Sequence, residues 1–171
     1  MQYGPDPNAV YPNEAIKSVC FIKNIITRPN IIVGEYSYYD DMDGAEKFED
    51  HVTHHYEFIG DKLIIGKFCA IAKGIEFVMN GANHRMCSVT TYPFNIMGGG
   101  WEQFTPALED LPLKGDTVVG NDVWDWAECY CNAGCEYRRW CNYSRKFCRN
   151  KRHSRLLCRW WKSLQNNKKT L

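Results

Sequence analysis

Apolar positions recur along part of this chain with a period of six. Ile65, Ile71 and Phe77 are six apart, and four places after the first two come Cys69 and Ile75. Val33-Gly34 with Ser37, and Val119-Gly120 with Val123, repeat the same unit: apolar, small, two polar, small or apolar, variable. This is the hexapeptide pattern of a parallel β-helix. Each hexapeptide is a short strand plus a turn, and three complete a triangular coil. The leading aliphatic residue points into the shaft, and the small residue after it allows a tight corner. Ordinary strands also give short apolar alternation, but the in-phase run at 65, 71 and 77 favours the β-helix.

Outside the repeats the pattern changes twice. The Pro- and Asn-rich start is expected to run over the surface, and Ala15 to Ile26 reads as either a helix or an extended arm, ending before Pro29. Residues 79–116 break the hexad with Asn80-Gly81, Tyr92-Pro93, Gly98-Gly99-Gly100 and Pro106, and read as a long excursion from one corner. Phe94, Trp101, Phe104 and Leu108 predict that this loop is packed.

Charge and cysteine divide the chain. Its 171 residues suit one domain, and the formal charge of +1 argues for no special partner. Yet residues 1–124 hold 9 Lys and Arg against 17 Asp and Glu, while 125–171 hold 12 against 3. Three cysteines (Cys20, Cys69, Cys87) precede residue 125, and six follow it. Such a step marks a boundary. No basic start leads into an apolar run, and no stretch reaches the ~18–20 apolar residues of a membrane span, so a reducing cytoplasm is the expected compartment.

Several strings carry a resemblance: VGEYSYYDD (33–41), HHYEF (54–58), GDKLIIGKFCAIA (60–72), FVMNGANHRM (77–86), TYPFN (91–95) and LPLKGDTVVGNDVW (111–124). In nearly collinear order over 1–124, they resemble the streptogramin A O-acetyltransferases. That family belongs to a wider hexapeptide-repeat group that includes chloramphenicol acetyltransferases. The resemblance implies an all-β, left-handed parallel β-helix assembled as a homotrimer, with active sites between subunits. It implies acetyl transfer from acetyl-CoA to a secondary hydroxyl of a macrocyclic antibiotic, with no metal, nucleic acid or membrane involved. Another hydroxyl acceptor such as chloramphenicol, or a non-catalytic β-helix binding module, are the alternatives.

The resemblance assigns His84 as the base. A secondary alcohol is a poor nucleophile, and an imidazole with an ordinary pKa near ~6.5 suits proton removal at working pH. Tyr38 and Trp124 match positions lining the family's acceptor pocket, where flat aromatic surface suits a greasy macrocycle. His54-His55 reads as strand or corner residues in preference to a metal pair, because neighbours on a strand point to opposite faces. Cys69 reads as a buried small residue, and Cys20 and Cys87 as inert.

The family pattern stops at Trp124. The next inward position, 125, is Asp125 instead of an aliphatic residue, and no hexad is recognised beyond it. With suitable synonymous codons, residues 125–169 read one nucleotide later give PGV, IGDGA, AANSVV and GGNP in the family's order. Residues 125–171 are therefore expected to be a frameshift-derived, disordered tail, from a real frameshift or a sequencing error. The first domain, 1–124, would be incomplete, missing most of the CoA-binding coils. A zinc or nucleic-acid module is disfavoured because no paired CxxC spacing occurs and the basic residues follow no helical face.

Overall fold

The computed structural model describes residues 4–125 and 130–137. The architecture is all-β, and the helical pieces among the described residues are short 3-10 turns. The strands are β1 (Val19–Phe21), β2 (Ile31–Val33), β3 (Tyr38–Asp40), β4 (Val52–Thr53), β5 (Leu63–Ile65), β6 (Ala70–Ala72), β7 (Glu76–Val78), β8 (Thr117–Val119), β9 (Trp124–Asp125), β10 (Tyr130–Asn132) and β11 (Glu136–Tyr137). From β2 onward the chain visits three open sheets in rotation. Their strand orders are β2-β5-β8-β11, β1-β3-β6-β9 and β4-β7-β10. Every pairing is parallel except β1 with β3.

Register aligns the apolar positions in columns. Val33, Ile65, Val119 and Tyr137 follow one another across the first sheet. Val52, Phe77 and Cys131 do so in the third. Between corners, Leu63, Ile71, Ile75 and Phe77 are all essentially buried, and they form one continuous core with Cys20, Tyr39, Phe48 and Cys69. Across each parallel sheet, the backbone ladder and the apolar column reinforce the same register.

The repeat's glycines serve close approach, not unusual dihedrals. A Cβ on Gly34 would lie 2.7 Å from the Gly66 backbone, and one on Gly66 would lie 2.5 Å from the Gly120 carbonyl oxygen. The left-handed conformations fall two residues later, on Tyr36 (φ 64°), Phe68 (φ 60°) and Asp122 (φ 57°). Side chains link the same rungs. Ser37 Oγ donates to Gly66 O at 2.6 Å and accepts from Cys69 N at 3.0 Å, and Cys69 Sγ donates to Gly120 O at 3.0 Å. A buried serine at an apolar position is thus satisfied by the rung beside it.

The segment Ala15 to Ile26 is an arm, not an α-helix: β1 lies antiparallel on β3, and one 3-10 turn follows at Ile22–Asn24. Glu49 fastens the next stretch, accepting from Thr27 N (2.6 Å), Thr27 Oγ1 (2.8 Å) and Arg28 N (2.9 Å). Between β7 and β8 the chain forms only 3-10 turns, at Asn80–Ala82, Phe94–Ile96, Trp101–Phe104 and Leu108–Asp110. Phe94 packs edge-on against Tyr92 (4.7 Å) and Trp101 (5.1 Å), yet Phe94, Trp101 and Leu108 each stay at least 40% exposed. The loop packs on itself and leaves apolar surface outside. The side chain of Phe104 lies outside the described residues.

The expected end of the repeat at Trp124 needs correction. β9 pairs with β6 so that Asp125 takes the register position across from Ile71, and β10 and β11 extend the other two sheets. Cys131, Cys135 and Tyr137 are buried. Backbone ladders are indifferent to the side chain at 125. A thiol behaves as a small apolar group, so Cys131 and Cys135 fill positions where aliphatic residues were sought. The rest of the expected tail, 126–129 and 138–171, lies outside the described residues. Among the described residues no helix is long and apolar enough to cross a membrane.

Two predictions follow from the stacking. Gly66→Ala drives a methyl into the Gly120 backbone and is expected to cost about 3 kcal/mol, the upper end of typical overpacking; chemical denaturation measures it. The second concerns pH. Burial pushes the Cys20 thiol up to about 12, and it pushes the Tyr39 phenol upward too, reinforced by the Asp41 carboxylate that accepts its hydrogen bond. Both groups keep their protons more tightly folded than unfolded. Their stabilisation is therefore complete below the ordinary thiol range of about 8.5 and declines as pH rises toward 12. The melting temperature should fall between pH 8 and pH 11, and Cys20→Ala should shrink that fall.

Candidate active site

The site forms where the chain leaves β7. Asn80 begins a 3-10 turn through Ala82 and is buried, and the chain then turns outward so that His84 is exposed. Gly81 makes this departure possible. Its N–H donates to His54 O at 3.1 Å, and a Cβ there would lie 2.5 Å from the Tyr56 ring. The loop is therefore pressed against the segment after β4, and His54 and Tyr56 come beside the Asn80–His84 run.

These residues line a cleft of 770 Å³ whose other wall is the excursion, including Tyr92, Ile96 and Leu108. The lining is chiefly apolar, with a few polar groups, the usual makeup of a small-molecule site. Tyr56 stacks on Phe58 with ring centroids 5.5 Å apart. Across the mouth, Arg85 Nη1 pairs with Asp110 at 3.1 Å and ties the two strands of the loop together. His84 makes no side-chain hydrogen bond to another described residue, and it is exposed at the cleft.

The other two candidates lie on the second sheet. Tyr38 pairs with Ala70, and Ala70 pairs with Trp124, so the three form one row across adjacent strands. Tyr39 is fully buried, which sends Tyr38 to the outer face, and Trp124 is 59% exposed. With strands about 4.8 Å apart, the two aromatics stand about 10 Å from each other over a small alanine. Neither lines the cleft that contains His84. The structure thus brings Tyr38 and Trp124 together and leaves His84 on a separate surface of the same chain.

His54 and His55 part company. His54 adopts φ 53° after β4 and lines the cleft, whereas the His55 side chain is fully buried with Nε2 3.0 Å from Asp61 O. Among the described residues no group of three or more His, Cys, Asp or Glu side chains is arranged to hold a metal ion. Cys69 and Cys20 are buried, and burial raises both thiols, whereas Cys87 is exposed on the loop. Residue types gave no sign that Tyr56 and His54 belong to the cleft, since that depends on the path of the excursion. The pairing of Asp61 with Asn80 was equally hidden, because it joins the residue just before β5 to the residue just after β7 across two different sheets.

No family model matches the chain. Over 85 residues it is 71% identical to a probable macrolide acetyltransferase of Lysinibacillus sphaericus, a match covering 50% of this chain and 47% of that protein. Over 113 residues it is 58% identical to the virginiamycin A acetyltransferase of Staphylococcus aureus, covering 66% and 51%. A chloramphenicol acetyltransferase of Agrobacterium fabrum is 41% identical over 105 residues, covering 60% and 50%. The chain spans about half the length of these relatives. Over the matched part, this chain is similar to proteins named as macrolide and virginiamycin A acetyltransferases.

Proposed function

We propose that this chain belongs to an acetyl-CoA-dependent enzyme that O-acetylates a secondary hydroxyl of streptogramin A antibiotics and so confers resistance. The observation that carries this reading is His84, exposed in a chiefly apolar cleft, on a chain 58% identical to a virginiamycin A acetyltransferase. The higher identity to that protein than to the chloramphenicol enzyme, 58% against 41%, favours the macrocyclic acceptor.

In the proposed reaction a ring nitrogen of His84 takes the proton of the acceptor hydroxyl as its oxygen attacks the thioester carbonyl. The tetrahedral intermediate collapses, the C–S bond breaks, and the imidazolium returns the proton to the departing thiolate. The products are an acetyl ester and free CoA thiol, with no acyl-enzyme. Aromatic and aliphatic walls fit a large apolar substrate, and the polar groups near His84 orient its hydroxyl.

The rotation of strands among three parallel sheets is what a left-handed parallel β-helix requires, and we take the fold to be one. The separation of His84 from the row Tyr38–Ala70–Trp124 supports a trimer in which the cleft of one subunit meets the aromatic row of its neighbour. We further infer that the reading frame changes near the Trp124 codon, that the family's own acetyltransferase sequence is 1–124 although β10 and β11 still extend the sheets to Tyr137, and that the chain of 171 residues is impaired because most CoA-binding coils are replaced. The compartment that fits an acyl-CoA donor and the free thiols of Cys20, Cys69 and Cys87 is the cytoplasm.

A frame-restored protein is expected to acetylate a streptogramin A, read as acetylated product by mass spectrometry. His84→Ala in it should lower the rate by about 10²–10⁴-fold. The chain as it stands should be much slower than the restored one. Failure of the restored protein on streptogramin A, with activity on chloramphenicol or a sugar, would replace the acceptor; undiminished activity of His84→Ala would remove the base.

A further inference from the structure

Asn80 uses its whole hydrogen-bonding capacity. Its Nδ2 donates to Asp61 Oδ2 at 2.7 Å and to Gly115 O at 2.9 Å. Its Oδ1 accepts from Asn83 Nδ2 at 3.1 Å and from Lys114 N at 2.7 Å. A side-chain amide has two donor hydrogens and two acceptor lone pairs, and all four are engaged. The Asn80 backbone N–H adds a fifth hydrogen bond, to the same Asp61 Oδ2 at 3.0 Å. One side chain, 3% exposed, therefore ties the end of β7 to the departing residue next to His84 and to the returning residues just before β8.

Asp61 determines which way round that amide sits. A carboxylate accepts only, so Nδ2 must face it, and Oδ1 is left facing the two loop donors. The carboxylate is 5% exposed, and its second oxygen, Oδ1, is buried without a hydrogen-bond partner. Nearby, His55 Nε2 donates to Asp61 O at 3.0 Å and lies 3.9 Å from Asp61 Oδ1, while its Nδ1 is also buried without a partner. A buried carboxylate with one oxygen unmatched is a poor source of stability. What it provides is geometric, namely a fixed acceptor for two N–H groups of one residue.

We propose that Asn80, oriented by the buried Asp61 carboxylate, is a latch that joins the two ends of the excursion and thereby positions His84. Asn80 and Asp61 are positioning residues. Neither is assigned contact with a reacting atom. The kinetic consequence rests on the proposed role of His84, whereas the structural consequence does not.

Hydrogen exchange on the full 171-residue chain, resolved by peptide mass spectrometry, tests the latch directly. Asn80→Ala should raise exchange at least about tenfold at both 83–90 and 111–116, leaving 63–72 unchanged. Asp61→Asn keeps an acceptor and should retain most of the protection; Asp61→Leu, of similar size without one, should lose it at both ends. If Asn80→Ala loosens 63–72 as well, Asn83→Ala settles the matter. It removes only the outgoing tie, and should loosen 83–90 while sparing 63–72 and 111–116. In the frame-restored protein, Asn80→Ala should lower kcat with little change in KM. Native exchange at both loop ends in Asn80→Ala, or equal protection in Asp61→Asn and Asp61→Leu, would overturn the latch. Loss of protection in a protein that transfers no acetyl group would uphold it and reject only the reaction.

Discussion

The structure depends on how closely successive rungs approach along one corner. Gly34, Gly66 and Gly120 stack backbone to backbone, with no room for a methyl group between them. That contact sets the register, and the register then aligns everything else: the inward columns, the carbonyls that accept from Ser37 and Cys69, and the outward row of Tyr38, Ala70 and Trp124. It holds although the chain between stacked positions varies in length. Ser37 and Cys69 are linked across 32 residues, Lys67 and Asn121 across 54. Extra residues leave from corners and return to them, so insertions lengthen loops without disturbing the ladder.

This explains what was legible in the sequence. The inward run at 65, 71 and 77 was visible because aliphatic and aromatic residues stand in phase, and an all-β chain followed. Glycine after the leading residue was also visible, but its reason was not. The corner's positive φ values belong to Tyr36, Phe68 and Asp122, residues whose composition gives no such signal. The coil through Cys131, Cys135 and Tyr137 was missed for a related cause. A search for aliphatic residues passes over thiols and a phenol ring, whereas the core selects by volume and polarity. Asp125 looked like a break because side chains are what a sequence displays, and the ladder it joins is made by backbone.

The candidate site divides in the same way. His84 was legible because it ends a short, specific string, Asn80-Gly81-Ala82-Asn83-His84. What surrounds it was not, because His54, Tyr56 and Asp61 reach it only through the stacking of β4 on β7, the turn between β4 and β5, and the path of the excursion. Polar residues in a repeat protein read alike whether they face solvent or the interior. Only register reveals that Asp61 and Asn80 are buried together.

A wide excursion poses a physical problem that the same register solves. Ordering a loop of this length costs conformational entropy, and closure grows only slowly with length, so the greater difficulty is fixing its internal residues. Tying the two ends to one buried amide shortens the span that must be ordered, and Arg85 with Asp110 adds a second crossing further out. His84 lies between these ties in sequence, four residues beyond Asn80 and next to Arg85. Further along, Phe94, Ile96 and Trp101 stay exposed and present apolar surface outward. If His84 acts as the proposed base, a backbone tied at both ends beside an exposed apolar wall suits a bulky substrate that must present one hydroxyl accurately while the remainder is held by shape alone.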